Sequence, residues 1–186
     1  MMPLPRMDDT PVRYGRVRIA LHWLIALLLF GAFPLGLYMH DLALTPTKIR
    51  LFNYHKWLGV SILLLALVRI VARIIDRTHD GPAATGWQRS AATLVHALLY
   101  VSIVVVPVSG WLMSSAEGFQ TVWFGVIPLP DIVPRDKALA ALLKVVHKGL
   151  NFAMLGLVTV HVLAALQHQF VLRDGVLGRM LPVLRR

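Results

Sequence analysis

The sequence predicts an all-α integral membrane protein built as a bundle of four membrane-spanning helices. Its 186 residues are 57% hydrophobic and only 15% charged, with a mean hydropathy of +0.67. A soluble domain of this length cannot hide so much apolar side chain, whereas a small polytopic membrane protein has no need to. Four apolar segments are each long enough to cross a hydrocarbon slab about 30 Å thick. The loops are too short for a soluble domain, so we expect one transmembrane domain over residues 1–186.

The four predicted helices cover residues 16–39, 54–75, 90–114 and 138–172. Within the apolar part of the first, His22 is the only ionisable residue, and no small-residue cleavage site follows, so we expect this helix to be retained rather than removed as a signal peptide. The second keeps its charged residues near its ends, and the third contains Pro107. The fourth is longer than a bilayer span, so its ends should project into headgroups or water.

Charged residues at the helix ends predict the orientation. With four spans, the two termini and the 76–90 loop share one side of the membrane, and the 40–53 and 114–137 loops share the other. The terminal side has twelve arginines against five aspartates, and the opposite side has seven basic residues against four acidic ones. The positive-inside rule therefore places both termini in the cytoplasm.

The net charge is +10, but the basic residues lie at the ends of the apolar segments, as membrane topology requires. This distribution argues against a nucleic-acid partner. The chain has no Cys, so disulfides, iron–sulfur clusters and thiolate chemistry are excluded.

Two histidines in the last segment, His147 and His161, predict a site on each side of the bundle core. They are fourteen residues apart, close to four whole helical turns, so both side chains leave the same helix face roughly 21 Å apart. One ring therefore lies near each edge of the bilayer. Ionisable side chains inside membrane helices are costly and usually functional. Two stacked histidines facing a bundle interior predict two stacked metal centres, most simply two haems.

The topology supplies a partner for each of these histidines. The first helix starts inside, which places His22 level with His161, and the second starts outside, which places His55 level with His147. Facing helices of a four-helix bundle can hold a cofactor between such pairs. Two axial imidazoles leave iron no open position, so each centre should transfer electrons rather than activate oxygen. His40 is the rival on the outer side, and His96 and His168 are the rivals on the inner side.

The four segments also resemble, in order and over nearly the whole chain, the helices of the bacterial cytochrome b561 family, and most of all its superoxide oxidase branch. The segments that carry the resemblance are RIALHWLIALLLF, NYHKWLGVSILLLALVRIVAR, VHALLYVSIVVVPVSGWLM and VHKGLNFAMLGLVTVHVLAALQH. The haem-ligand positions of the family fall on the two pairs chosen above, His22 with His161 and His55 with His147. The ascorbate-using branch has six helices, and the four predicted here argue against it.

The resemblance implies that superoxide is oxidised at the outer face and that ubiquinone is reduced in the inner membrane. Lys56, Lys144 and Lys148 flank the outer pair in sequence, and their charge would raise the local concentration and on-rate of a small anion. The alternative role for these lysines is anchoring in headgroups. At the inner end His168, with His96 as second choice, is expected to hydrogen-bond the quinone and relay its proton; the alternative for His168 is an interfacial or capping residue.

Two other functions stay open at this point. One is a cytochrome b subunit that passes electrons between quinone and a redox partner protein, such as a periplasmic dehydrogenase or hydrogenase. The other is a haem-free membrane scaffold or carrier. Co-purification of a partner would favour the first, and a visible spectrum of the purified protein separates the second from any haem protein.

Overall fold

A computed structural model describes residues 15–75 and 86–181, and these form four long helices and a small hairpin. The helices are α1 (Arg16–His40), α2 (Pro46–Ile75), α3 (Trp87–Glu117) and α4 (Lys137–Gln167). A hairpin of β1 (Val122–Trp123) and β2 (Ile127–Pro128) lies between α3 and α4. A π-helical turn (His168–Leu172) continues α4, and a 3-10 turn (Leu177–Arg179) follows. The four-helix prediction is confirmed.

All four helices are long and apolar enough to cross a membrane. Their outward faces carry large apolar side chains, such as Phe30, which is 82% exposed, and Leu27, which is 68% exposed. Contiguous apolar surface of this kind is unusual on a soluble monomer and is what lipid contact requires. The protein is therefore a membrane-spanning bundle.

Helices that are neighbours in sequence pack against each other, α1 on α2, α2 on α3 and α3 on α4. A small core at mid-height joins α2, α3 and α4 through Ala66, Ile103, Val106 and Met154. α1 and α4 meet across the bundle through aromatic rings, among them Phe33 and Phe152 with centroids 6.0 Å apart. We call the end where α1 begins the terminal end, and the end that carries β1 and β2 the hairpin end.

The hairpin is tied to the helices by indole and ammonium groups that donate to its backbone. Trp57 Nε1 donates to the carbonyl of Val122 at 2.7 Å, and Lys56 Nζ donates to that of Phe119 at 3.0 Å. Trp111 Nε1 reaches Pro130 O at 3.1 Å. A backbone carbonyl that lacks a hydrogen-bond donor is energetically costly in or near the apolar part of a membrane. Trp57 and Trp111 therefore fix this loop against α2 and α3.

Three features differ from the sequence-based expectation. α2 begins at Pro46, eight residues before the predicted span at Tyr54, because a helix continues into its polar flank whereas hydropathy marks only the apolar part. The end of α4 is a π-helical turn rather than α-helix. The third is the hairpin, whose strands are two residues long and leave no periodic pattern in the sequence.

Much of the sequence used to predict the orientation lies outside the described residues. This applies to residues 1–14, 76–85 and 182–186. The expectation that both termini face the cytoplasm therefore stays a prediction from charge.

Candidate functional site

The structure brings the four histidines of the predicted sites together in two pairs. His55 of α2 faces His147 of α4 near the hairpin end, with ring centroids 6.4 Å apart. His22 of α1 faces His161 of α4 near the terminal end, with centroids 6.2 Å apart. All four side chains are half-buried inside the bundle. We call these the hairpin pair and the terminal pair.

Hydrogen bonds fix which ring nitrogens of the hairpin pair carry protons. His55 Nδ1 lies 3.1 Å from the carbonyl of Ala32, which can only accept, so Nδ1–H is the donor. Ser109 Oγ donates to Val106 O at 2.7 Å and therefore accepts from His147 Nδ1 at 2.8 Å. A neutral imidazole that donates through Nδ1 has its lone pair on Nε2. Both rings are thus prepared to offer Nε2 to a ligand.

Two glycines make room for the hairpin pair. A Cβ placed on Gly36 of α1 would lie 3.0 Å from His55 Cε1, and one placed on Gly110 of α3 would lie 2.9 Å from His147 Cε1. Carbon atoms in contact are normally about 3.5–4.0 Å apart, so a methyl group at either position would displace the ring. The ring of His55 therefore packs directly against the backbone of α1, and the ring of His147 packs against that of α3.

The terminal pair has a third histidine beside it. The ring of His96 on α3 lies 5.2 Å from that of His161, centroid to centroid. The indole of Trp23, 5.3 Å from the ring of His22, donates Nε1–H to Met180 O at 2.9 Å. The chain after α4 is thus anchored to α1 beside this pair.

The other predicted site residues fall at the two ends of the bundle. Lys144 and Lys148 are exposed on the first part of α4, whereas Lys56 is partly buried and directed at Phe119. His168 begins the π-helical turn, and its Nδ1 donates to Asp174 Oδ2 at 2.5 Å. His40, the rival ligand at the hairpin end, is exposed and bonds Asp41 at 2.7 Å instead of facing a histidine.

Comparisons with known proteins identify the family of the chain. The family model of prokaryotic cytochrome b561 matches residues 13–183. The chain belongs to the prokaryotic cytochrome b561 family. It is 31% identical to "Cytochrome b561 homolog 2" of Escherichia coli K12, with 93% of each chain covered. It is 27% identical to "Probable superoxide oxidase CybB" of Yersinia pestis, with 93% of this chain and 98% of that protein covered.

Membership of the cytochrome b561 family means transmembrane electron transfer and implies b-type haem. The histidine pairs fit that group. An imidazole nitrogen binds a metal ion at about 2 Å, so two rings on opposite sides of one ion have centroids roughly 6 Å apart. Both pairs have this separation, and the hairpin pair also has the second hydrogen bond that orients metal-binding imidazoles. The ring centroids of His96 and His161 are 5.2 Å apart, which is closer than two imidazoles bound to the same metal ion would be.

Sequence reasoning did not identify the residues that support the hairpin pair. Gly36, Ser109 and Gly110 stand in apolar segments, where a small residue is equally explained by close helix packing. The adjacent Ser109 and Gly110 are the sequence feature that could have indicated a site, because they place a hydroxyl beside a residue without a side chain in a membrane helix. Their role is apparent only from the structure, in which His147, 38 residues further along the chain, contacts both of them.

Proposed function

We propose that this protein carries electrons from superoxide on the outer face of the bacterial inner membrane to ubiquinone near the inner face. His55 and His147 hold one haem b, and His22 and His161 hold the second. The observation that supports this assignment most strongly is the hairpin pair, whose spacing and Nδ1 hydrogen bonds suit axial ligation. The hairpin end then faces outward and the terminal end faces the cytoplasm, as the charge distribution predicts.

When bound, the two haems supply one-electron transfer across the slab. His55 with His147 and His22 with His161 would each hold one haem iron, and two imidazole ligands per iron would favour electron transfer over oxygen binding. Two superoxide anions each lose one electron and leave as dioxygen. One quinone takes up these two electrons together with two protons and leaves as quinol. The side chains at the two ends therefore have different tasks, attracting an anion at one and delivering protons at the other.

At the hairpin end, Lys144 and Lys148 are the exposed cations closest in sequence to His147. Lys148 and Lys48 also interact with Asp41, whose pKa is lowered first by the hydrogen bond from His40 and further by these lysines. Asp41 therefore stays ionised at neutral pH and offsets part of the lysine charge. Removing a lysine and removing this carboxylate should change the attraction for an anion in opposite directions.

Replacing both Lys144 and Lys148 with Gln should slow haem reduction by superoxide and flatten its dependence on ionic strength. The reason is that electrostatic steering raises on-rates roughly tenfold or more and is screened over about 10 Å at 0.1 M salt. Stopped-flow spectroscopy at several salt concentrations measures both effects. Asp41→Asn is the matched variant of opposite sign and should speed reduction at low salt. Equal rates for the double variant and the parent at low salt would show that the lysines are lipid anchors.

At the terminal end, His168 and Asp174 form the proton-handling pair that we propose for the quinone. Asp174 accepts from His168 Nδ1 and, through its other oxygen, from the backbone N–H of Val176 at 3.2 Å. The carboxylate orients the imidazole by accepting from Nδ1–H, which leaves Nε2 as the ring nitrogen that exchanges a proton with a quinone oxygen. His96, beside His161, is the second candidate for contact with the quinone.

His168→Ala should keep both haems and still be reduced by superoxide, but its re-oxidation by added ubiquinone should be slow. General acid catalysis by a positioned side chain contributes about 10²–10⁴-fold, and Asp174→Asn should lose a smaller part of this. Stopped-flow re-oxidation of the pre-reduced protein measures the step directly. His40→Ala at the opposite end is the control and should behave as the parent. Unchanged quinone kinetics in His168→Ala would move the site, with His96 next to be tested.

A further inference from the structure

Arg69 is a charged residue in the last two turns of α2. It stands six residues before the helix ends at Ile75, which is roughly 9 Å along the helix axis. Its side chain is half-buried. A cation at this depth is expensive, and such residues are retained in membrane helices mainly for function. The proposed superoxide and quinone sites do not use it.

The charge of Arg69 is not balanced by a carboxylate in the part of the chain that the structure describes. Its Nη1 donates to the carbonyl of Arg18 at 2.9 Å, and its guanidinium lies 5.7 Å from the centre of the Tyr100 ring. A carbonyl and an aromatic ring orient a guanidinium but leave its net charge in place. Arg69 is therefore a fixed positive charge held between α1 and α3.

Both rings of the terminal pair lie within electrostatic range of this charge. The Arg18 carbonyl that accepts from Arg69 lies one helical turn before His22 on α1, and the His22 ring faces that of His161 with centroids 6.2 Å apart. The hairpin pair has no equivalent in the described residues. There Lys56 is next to His55 in sequence, but its ammonium group donates to Phe119 O in the loop. The carboxylate of Asp131 offsets part of its charge.

We infer that Arg69 raises the reduction potential of the haem at the terminal pair above that of the haem at the hairpin pair, and so sets the direction of electron flow. This inference rests on the haem positions proposed above. Reduction adds one electron to a site, and a fixed positive charge nearby stabilises the reduced form. For a charge about 10 Å away at an effective dielectric constant near 20, the effect is roughly tenfold in the reduced-to-oxidised ratio. That ratio corresponds to about 59 mV for a one-electron couple.

A spectroelectrochemical titration of the purified holoprotein tests this inference without measuring turnover. In Arg69→Gln, the higher of the two midpoint potentials should fall by about 59 mV, the tenfold ratio above, while the lower one stays in place. Arg69→Lys keeps the charge and should restore most of the difference. Arg89→Gln removes an exposed arginine from the same end of the bundle, on α3, and should leave both potentials unchanged.

The outcomes separate this inference from the proposed function. A parent protein that holds fewer than two haems overturns both. Two haems whose potentials do not respond to Arg69→Gln overturn only the role of Arg69. Loss of one haem from the Gln and Lys variants alike also overturns it, because Arg69 would then serve the packing of α1, α2 and α3 rather than the potential.

Discussion

Alanine at His55 or at His147 should reduce the haem content from two per chain to one. Each haem is proposed to need both of its axial imidazoles, and the terminal pair is formed by different residues, His22 and His161. The variant should therefore keep one b-type spectrum at about half the parent intensity per protein. A pyridine haemochrome assay on protein of known concentration measures the ratio.

His40→Ala provides the control for this experiment. His40 is also at the hairpin end, but its ring is bonded to Asp41 and exposed rather than facing another histidine. Its spectrum and haem ratio should match those of the parent. If either His55→Ala or His147→Ala still binds two haems, the pairing of α2 with α4 is wrong.

Enlarging Gly110 should weaken binding of the haem at the hairpin end without replacing a ligand. A Cβ at this position lies 2.9 Å from His147 Cε1, so the ring must rotate or α3 must move away. The bond between His147 and Ser109 opposes rotation, since the hydroxyl is itself fixed by Val106 O. Overpacking of a well-packed site costs about 1–3 kcal/mol. Because each 1.4 kcal/mol is tenfold in affinity, Gly110→Ala should weaken haem retention by roughly 5- to 150-fold, and Gly110→Val by more.

Haem loss during dilution or transfer to an apoprotein acceptor measures this effect, and α4 offers a matched control. A Cβ at Gly149 meets nothing within 4 Å, so Gly149→Ala should retain haem as the parent does. Gly36→Ala should act like Gly110→Ala, because it crowds His55 from the side of α1. Full haem retention in Gly110→Val would show that the helices can move apart to accept the larger side chain. Glycine at positions 36 and 110 would then not be needed for haem binding.

The architecture and the histidine pairing could be predicted because both follow from simple lengths. Helical rise and slab thickness place His147 and His161 at opposite edges, and the alternation of helix direction assigns a level to His22 and His55. The structure confirms the four helices and brings these rings together. The depth of a residue in the membrane can therefore be predicted from a single sequence when the helices are continuous and the bilayer thickness is known.

Lateral contacts could not be predicted in the same way. The bond between Ser109 and His147 depends on how α3 is rotated toward α4, and hydrophobicity does not define that rotation when a helix is apolar on all sides. The anchoring of Lys56 to the loop depends on the hairpin, whose short strands are stabilised by tryptophans from other helices. The pairing of His168 with Asp174 depends on the π-helical turn between them.

The position of both α4 histidines has a consequence for biosynthesis. Each proposed haem takes one ligand from α4 and the other from α1 or α2, so a nascent chain that has inserted only its first three helices contains half of each site. Neither cofactor can be held until the last quarter of the protein has left the ribosome. Maturation should therefore be post-translational, with α4 closing a preformed three-helix cradle around both haems, and chains truncated before His147 should accumulate as colourless membrane protein.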